Sequence, residues 1–113
     1  MPWAGGSRGP YNGGVPHSLL QRRLIDVSDR LRRLRTDLAV AQEQLVYMEE
    51  EADDARLRAL VSETPLADAE ARESRRHADA LGRQRDALAR SIAELEREQD
   101  ALLDRMAAEQ ASH

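Results

Sequence analysis

The chain has 113 residues, a formal net charge of −4, 34% charged residues and 3% aromatics, with no Phe and no Cys. That length holds one domain at most, and so few bulky side chains exclude a globular core built from several packed layers. The lack of Cys excludes a disulfide framework and a thiolate metal site, and the negative balance gives no global attraction to nucleic acid or anionic lipid.

All seventeen basic residues are Arg. With abundant Ala, Leu and Glu, the composition matches long helices. No apolar run approaches the ~18 residues of a membrane span, and the N-terminus has no apolar h-region. A cytoplasmic protein with no membrane contact is expected.

Residues 1–17 contain five of the six glycines and three of the four prolines. Ordering such a segment costs much backbone entropy and buries little in return. It reads as a flexible, disordered N-terminal arm. Trp3 and Tyr11 are its two candidate anchors, since aromatics carry much of the energy at interfaces.

A first helix is predicted over 18–61. Ser18-x-x-Gln21, just after Pro16, has the form of a capping box. Apolar or small residues then recur from Leu20 to Ala59 at alternating spacings of three and four, through Leu24, Val27, Leu31, Leu34 and Leu38. This is a heptad repeat with Leu24 at position a and Val27 at d. Its period predicts a left-handed supercoil.

The repeat is interrupted over Leu60-Val61-Ser62-Glu63-Thr64-Pro65-Leu66, read as a tip spanning 60–66. A second helix is predicted over 65–109, with Thr64 as its cap, Pro65 at its first position, and Asp68 and Glu70 near the positive end of its dipole. Its seam runs from Ala67 to Met106, with polar Arg85 and Gln99 at a positions. The residues from about 108 onward are expected to fray.

Folding the chain back at Glu63 makes each helix the other's partner. Seam residues equidistant from Glu63 then face one another: Leu24 with Leu102, Leu31 with Leu95, Leu38 with Leu88, Ala59 with Ala67. Bulky pairs gather at the base and small pairs toward the tip. The same register sets Glu49 beside Arg75, Arg56 beside Asp68, Arg58 beside Glu70, Arg30 beside Glu98 and Glu51 beside His77. The expected fold is therefore all-α, an antiparallel two-helix coiled-coil hairpin over 18–110, with arms about 65 Å long at 1.5 Å per residue. A second, discontinuous stripe of Ile25, Val40, Tyr47, Leu57 and Leu103 lies off the seam. It is the candidate surface for a homodimer in the form of a four-helix bundle.

No Ser/His/Asp set, phosphate-binding glycine loop or Cys/His spacing falls on a predicted helix. No catalytic residue, cofactor site or metal site is assigned, and the chain reads as non-enzymatic. Glu73 and His77 share a helix face, but two ligands on a bare surface hold a metal weakly, and His77 is better accounted for by Glu51. Arg30, Arg32, Arg33 and Arg35 form a basic run without interleaved aromatics. Glu94, Glu96 and Glu98 lie alongside it, so nucleic-acid binding is not expected.

The tip carries the candidate site. Leu60, Val61 and Leu66 either close the turn or serve as anchors for a protein partner, with Glu63 as the polar contact at the apex and Asp68 nearby. The LVSETPLAD turn between Arg/Ala/Leu/Glu helices resembles small uncharacterised coiled-coil proteins of high-GC actinobacteria, a likeness that assigns no activity. The architecture is also similar to the N-terminal hairpin of Gre-type transcript cleavage factors and, more loosely, to DksA-like factors. Those factors insert an acidic coiled-coil tip into the secondary channel of RNA polymerase. That resemblance implies RNA polymerase as partner and Glu63, Asp68 and Glu70 as the tip acids. The second globular domain of Gre factors has no counterpart in these residues, and the register matches Asp68 and Glu70 with Arg56 and Arg58. A structural spacer is the remaining expectation.

Overall fold

The structure, a computed structural model, describes residues 17–112. The expected arm, with Trp3 and Tyr11, lies almost wholly outside the described residues. Two helices account for nearly everything else: α1 spans His17–Ser62 and α2 spans Pro65–Ala111. They run antiparallel and pack against each other. No Pro or Gly falls inside α1, and α2 has Pro65 at its first position and Gly82 within it, so nothing breaks either backbone ladder.

The heptad reading is realised residue by residue. Every buried residue of α1 (Leu20, Val27, Leu31, Ala41, Leu45, Ala52, Ala55 and Ala59) is a seam position. So is every buried residue of α2: Ala78, Ile92, Leu95 and Leu102. At the base, Leu20, Val27, Leu31, Ile92, Leu95 and Leu102 form one cluster, with Leu24, Leu34, Leu38 and Met106 packed against it. Beyond Leu45 the buried residues are all alanines. Small side chains let two helix backbones approach closely but bury little area, so the base supplies most of the apolar stabilisation.

The two polar seam residues are both satisfied. Gln99 Nε2 donates to Ser28 Oγ at 3.1 Å. Arg85 turns sideways, and its Nε donates to Asp86 Oδ1 at 2.7 Å. No polar or charged residue is buried among the described residues.

Of the seven tip residues, four are helical as the predicted helix bounds have them, and Ser62 joins α1 as well. Leu60, Val61 and Ser62 continue α1, and Leu66 already belongs to α2. Two residues make the turn. Glu63 is left-handed at φ 53, and its N–H donates to Ala59 O at 3.0 Å. This is the single-bond left-handed helix terminus. Thr64 is extended, with φ −113 and ψ 148, and caps α2. Its Oγ1 accepts from Ala67 N–H at 3.2 Å, and its carbonyl accepts from Asp68 N–H at 3.1 Å. One left-handed and one extended residue suffice to reverse the chain, because Pro65 has its helical φ preset.

The capping box at Ser18 is not formed. Helix α1 already includes His17, so Ser18 lies within the first turn. His17 Nδ1 lies 3.5 Å from Glu109 Oε1. These two residues are equidistant from Glu63, so the pairing runs one layer beyond the predicted end and holds the extra residue in the helix. At the other end, α2 continues to Ala111, and the Ser112 N–H closes onto the Ala108 and Glu109 carbonyls.

The five predicted cross-helix ion pairs are not formed. Arg75 NH2 instead meets Asp53 Oδ1 at 2.9 Å, Arg35 NH2 meets Glu96 Oε2 at 2.9 Å, and His77 lies 4.0 Å from Glu73 on its own helix. An arginine reaches several ångströms along the rod, and exposed pairs differ by only ~0–1 kcal/mol. Facing position therefore does not select the partner.

Two glycine substitutions should act in the same direction for opposite reasons. Glu63→Gly removes the cost of a left-handed L-residue and should stabilise the hairpin by about 1 kcal/mol. Gly82→Ala adds a Cβ that meets nothing within 4 Å, and should also add about 1 kcal/mol. Thermal melting followed by circular dichroism reads both. A lower melting temperature for Glu63→Gly would contradict the left-handed terminus.

Candidate interaction surface at the hairpin tip

The end of the rod displays apolar side chains that the seam does not use. Leu57 is 60% exposed, Leu60 66%, Val61 84% and Leu66 70%. Helix geometry explains why. The seam residue at this level is Ala59, so Leu60 and Val61, one and two positions on, project from the outer side of α1. Leu66 occupies the first turn of α2, before its seam begins at Ala67. The tip therefore does not close over its own leucines, and an open apolar cap remains.

Glu63 and Asp68 are exposed within this cap. Asp68 and Glu70 make no ion pair with Arg56 or Arg58, and all four side chains are solvent-facing. Among the described residues, the ion pairs involve none of the three tip acids Glu63, Asp68 and Glu70. The tip thus combines three to four open apolar groups with three uncommitted carboxylates.

Two grooves along the rod were not anticipated. One, of about 630 Å³, lies at mid-length and is shallow; Tyr47, Met48, Ala80 and Leu81 form its apolar part, and Gln44 and Gln84 its edge. The second, about 430 Å³, lies nearer the tip over Ala52 and Ala71, and is walled by Arg56, Arg72, Arg75 and Arg76. Of these four, Arg75 alone is held in an ion pair, by Asp53. The signal for the second groove was present in the sequence: Arg72, Arg75 and Arg76 share one face of α2 at spacings of three and four.

Among the described residues, no three His, Asp or Glu side chains converge as a metal site. No helix there is long and apolar enough to cross a membrane. The class defined by the fold is an all-α helical hairpin whose exposed features are a capped tip and two flanks. Compared with protein-family models, curated proteins and solved structures, the chain matches none.

Because the tip side chains are not packed, their removal should not weaken the fold. Leu60→Ser, Val61→Ser and Leu66→Ser should each change stability by no more than about 0.5 kcal/mol, whereas Leu31→Ala at the buried base should cost about 2–5 kcal/mol. Urea denaturation of the four variants checks this. A loss of 2 kcal/mol or more at Leu60 or Leu66 would mean that the tip is structural.

Proposed function

We propose that this chain is a non-enzymatic, cytoplasmic protein-interaction module that docks on a protein partner through the hairpin tip. The observation that carries this reading is the exposure of Leu57, Leu60, Val61 and Leu66 together at one end of a rigid rod. Exposed apolar groups clustered at one place mark interaction surfaces more often than scattered ones do. A rod of two helices, 46 and 47 residues long and so about 70 Å at 1.5 Å per residue, holds that cluster far from its base, a geometry suited to reaching into a recess. Leu60, Val61 and Leu66 supply the apolar anchors, and Glu63 and Asp68 supply the polar contacts that orient them.

A second reading is favoured by a separate observation. The tip acids Glu63, Asp68 and Glu70 are free of ion pairs, as they would be in a hairpin that delivers carboxylates into a channel. This supports a transcription regulator that enters the secondary channel of RNA polymerase in the manner of Gre factors, by architectural analogy.

Affinity capture from the native host tests both. Wild-type protein should retain a specific partner, and Leu66→Asp and Glu63→Arg should each reduce its recovery at least tenfold while the circular dichroism spectrum is unchanged. Polymerase subunits among the tip-dependent proteins would support the second reading. Recovery indifferent to both substitutions would overturn the tip as a binding site and leave the spacer role.

A further inference from the structure

The exposed apolar side chains are not shared evenly between the two helices. Eight of the ten large exposed hydrophobics lie on α1, and only Leu66 and Leu103 lie on α2. Four of the eight are placed symmetrically along α1, whereas Leu57 and Leu60 have Asp29 and Asp26 as their counterparts. Ile25 and Val61 are equidistant from Glu43, and so are Val40 and Val46. Tyr47, 62% exposed, lies equally far from Glu43 as Ala39. Apolar pairs placed in this way suit an isologous contact, in which residue i of one copy meets residue j of the other and j meets i.

The charges on α1 obey the same symmetry with opposite sign. From His17 to Val40 the helix carries six Arg against three Asp; from Ala41 to Ser62 it carries six acids against two Arg. Within one hairpin only the first imbalance is offset. The C-terminal half of α2, from Ala89, holds six acids against three Arg, whereas its N-terminal half is balanced at five of each. The acidic half of α1 therefore stays uncompensated. Arg33 and Asp54, which lie on the outer side of the helix, form no ion pair among the described residues.

We propose that a second copy of this chain packs antiparallel along the outer face of α1, about a two-fold axis crossing the helix beside Glu43 and Gln44. Ile25 of each copy then meets Val61 of the other, Val40 meets Val46, and the basic stretch around Arg33 lies against the acidic stretch around Asp54. A parallel arrangement would set the two acidic halves side by side, and like-charge contact disfavours it. The overlap from Ile25 to Val61 is roughly 55 Å long at 1.5 Å per residue. A contact stripe about 11 Å wide buries roughly 600 Å² on each copy, or about 1,200 Å² in all, the lower bound of specific interfaces. Glu43 meets its own copy at the axis and limits the affinity, so the dimer should dissociate in the micromolar range of about 1–100 μM. The contact shares Val61 with the tip but does not rest on the tip reading. Leu66 lies outside it, and the measurements report mass and crosslinks rather than partner recovery.

Sedimentation of the full chain across protein concentration is the first test. Wild type should pass from monomer to dimer. Arg33→Asp should weaken the dimer about tenfold by placing like charges together at two symmetric contacts, and Arg33→Asp combined with Asp54→Arg should restore it. The native chain has no Cys, so single-cysteine variants report orientation cleanly. Ile25→Cys and Val61→Cys should form disulfide-linked dimers when mixed and not when each is oxidised alone. A chain monomeric up to several hundred micromolar would overturn the proposal, as would crosslinking of each single variant to itself. All these positions are exposed, and circular dichroism of each variant checks that it folds.

Discussion

The hairpin depends on a single contact: one apolar stripe of α1 against one of α2. No third element covers either helix among the described residues, and no residue off the seam is buried. The stripe must therefore secure stability, orientation and register at once. It does so unevenly. Leucine, isoleucine and valine at the base bury most of the area, while alanines toward the tip set the distance between helices. Removing bulk from the base costs transfer energy and leaves a cavity; the alanine half has little to lose.

That division explains why the two ends differ in character. The base is consolidated by packing and extended by the His17–Glu109 contact, one layer beyond the first leucines. The tip has no such reserve and is held by hydrogen bonds: Ala59 O to Glu63 N–H, and Thr64 Oγ1 to Ala67 N–H. A residue other than Gly sits at the left-handed position and so forgoes some stability. The apolar residues around it are left in solvent at a further cost. Stability forgone and apolar area exposed thus fall at the same end of the rod.

A two-helix hairpin also cannot hide its outer faces. What distinguishes a solvated face from a contact face is then the arrangement of its residues. The outer side of α2 has charges of both signs interspersed and almost no large apolar groups. The outer side of α1 carries most of the exposed apolar residues, two pairs of them symmetric about Glu43, with opposite charge on its two halves. The same helix thus supplies the intramolecular seam, half of the tip and the face assigned to a second copy. Exposed ion pairs play a minor part in all of this. Arg75 with Asp53 and Arg35 with Glu96 bridge the helices, but each contributes at most about 1 kcal/mol.

The sequence by itself determined the fold class, the antiparallel pairing and the identity of every buried residue. These follow from a heptad period that few other structures tolerate, and from burial, which scales with side-chain area and is insensitive to exact geometry. It also located Thr64 and Pro65 correctly, because capping is a local interaction. Only the tertiary structure decided the rest. The non-helical turn is two residues, one fewer than the predicted helix ends leave, because Ser62 continues α1. Ser18 lies inside the first turn, because α1 already includes His17. The five cross-helix ion pairs gave way to others, because arginine side chains reach past the facing position and the alternatives lie within about 1 kcal/mol of one another. The grouping of Arg56 with Arg72, Arg75 and Arg76 also needed coordinates, since proximity across the seam is set by side-chain direction and not by spacing alone.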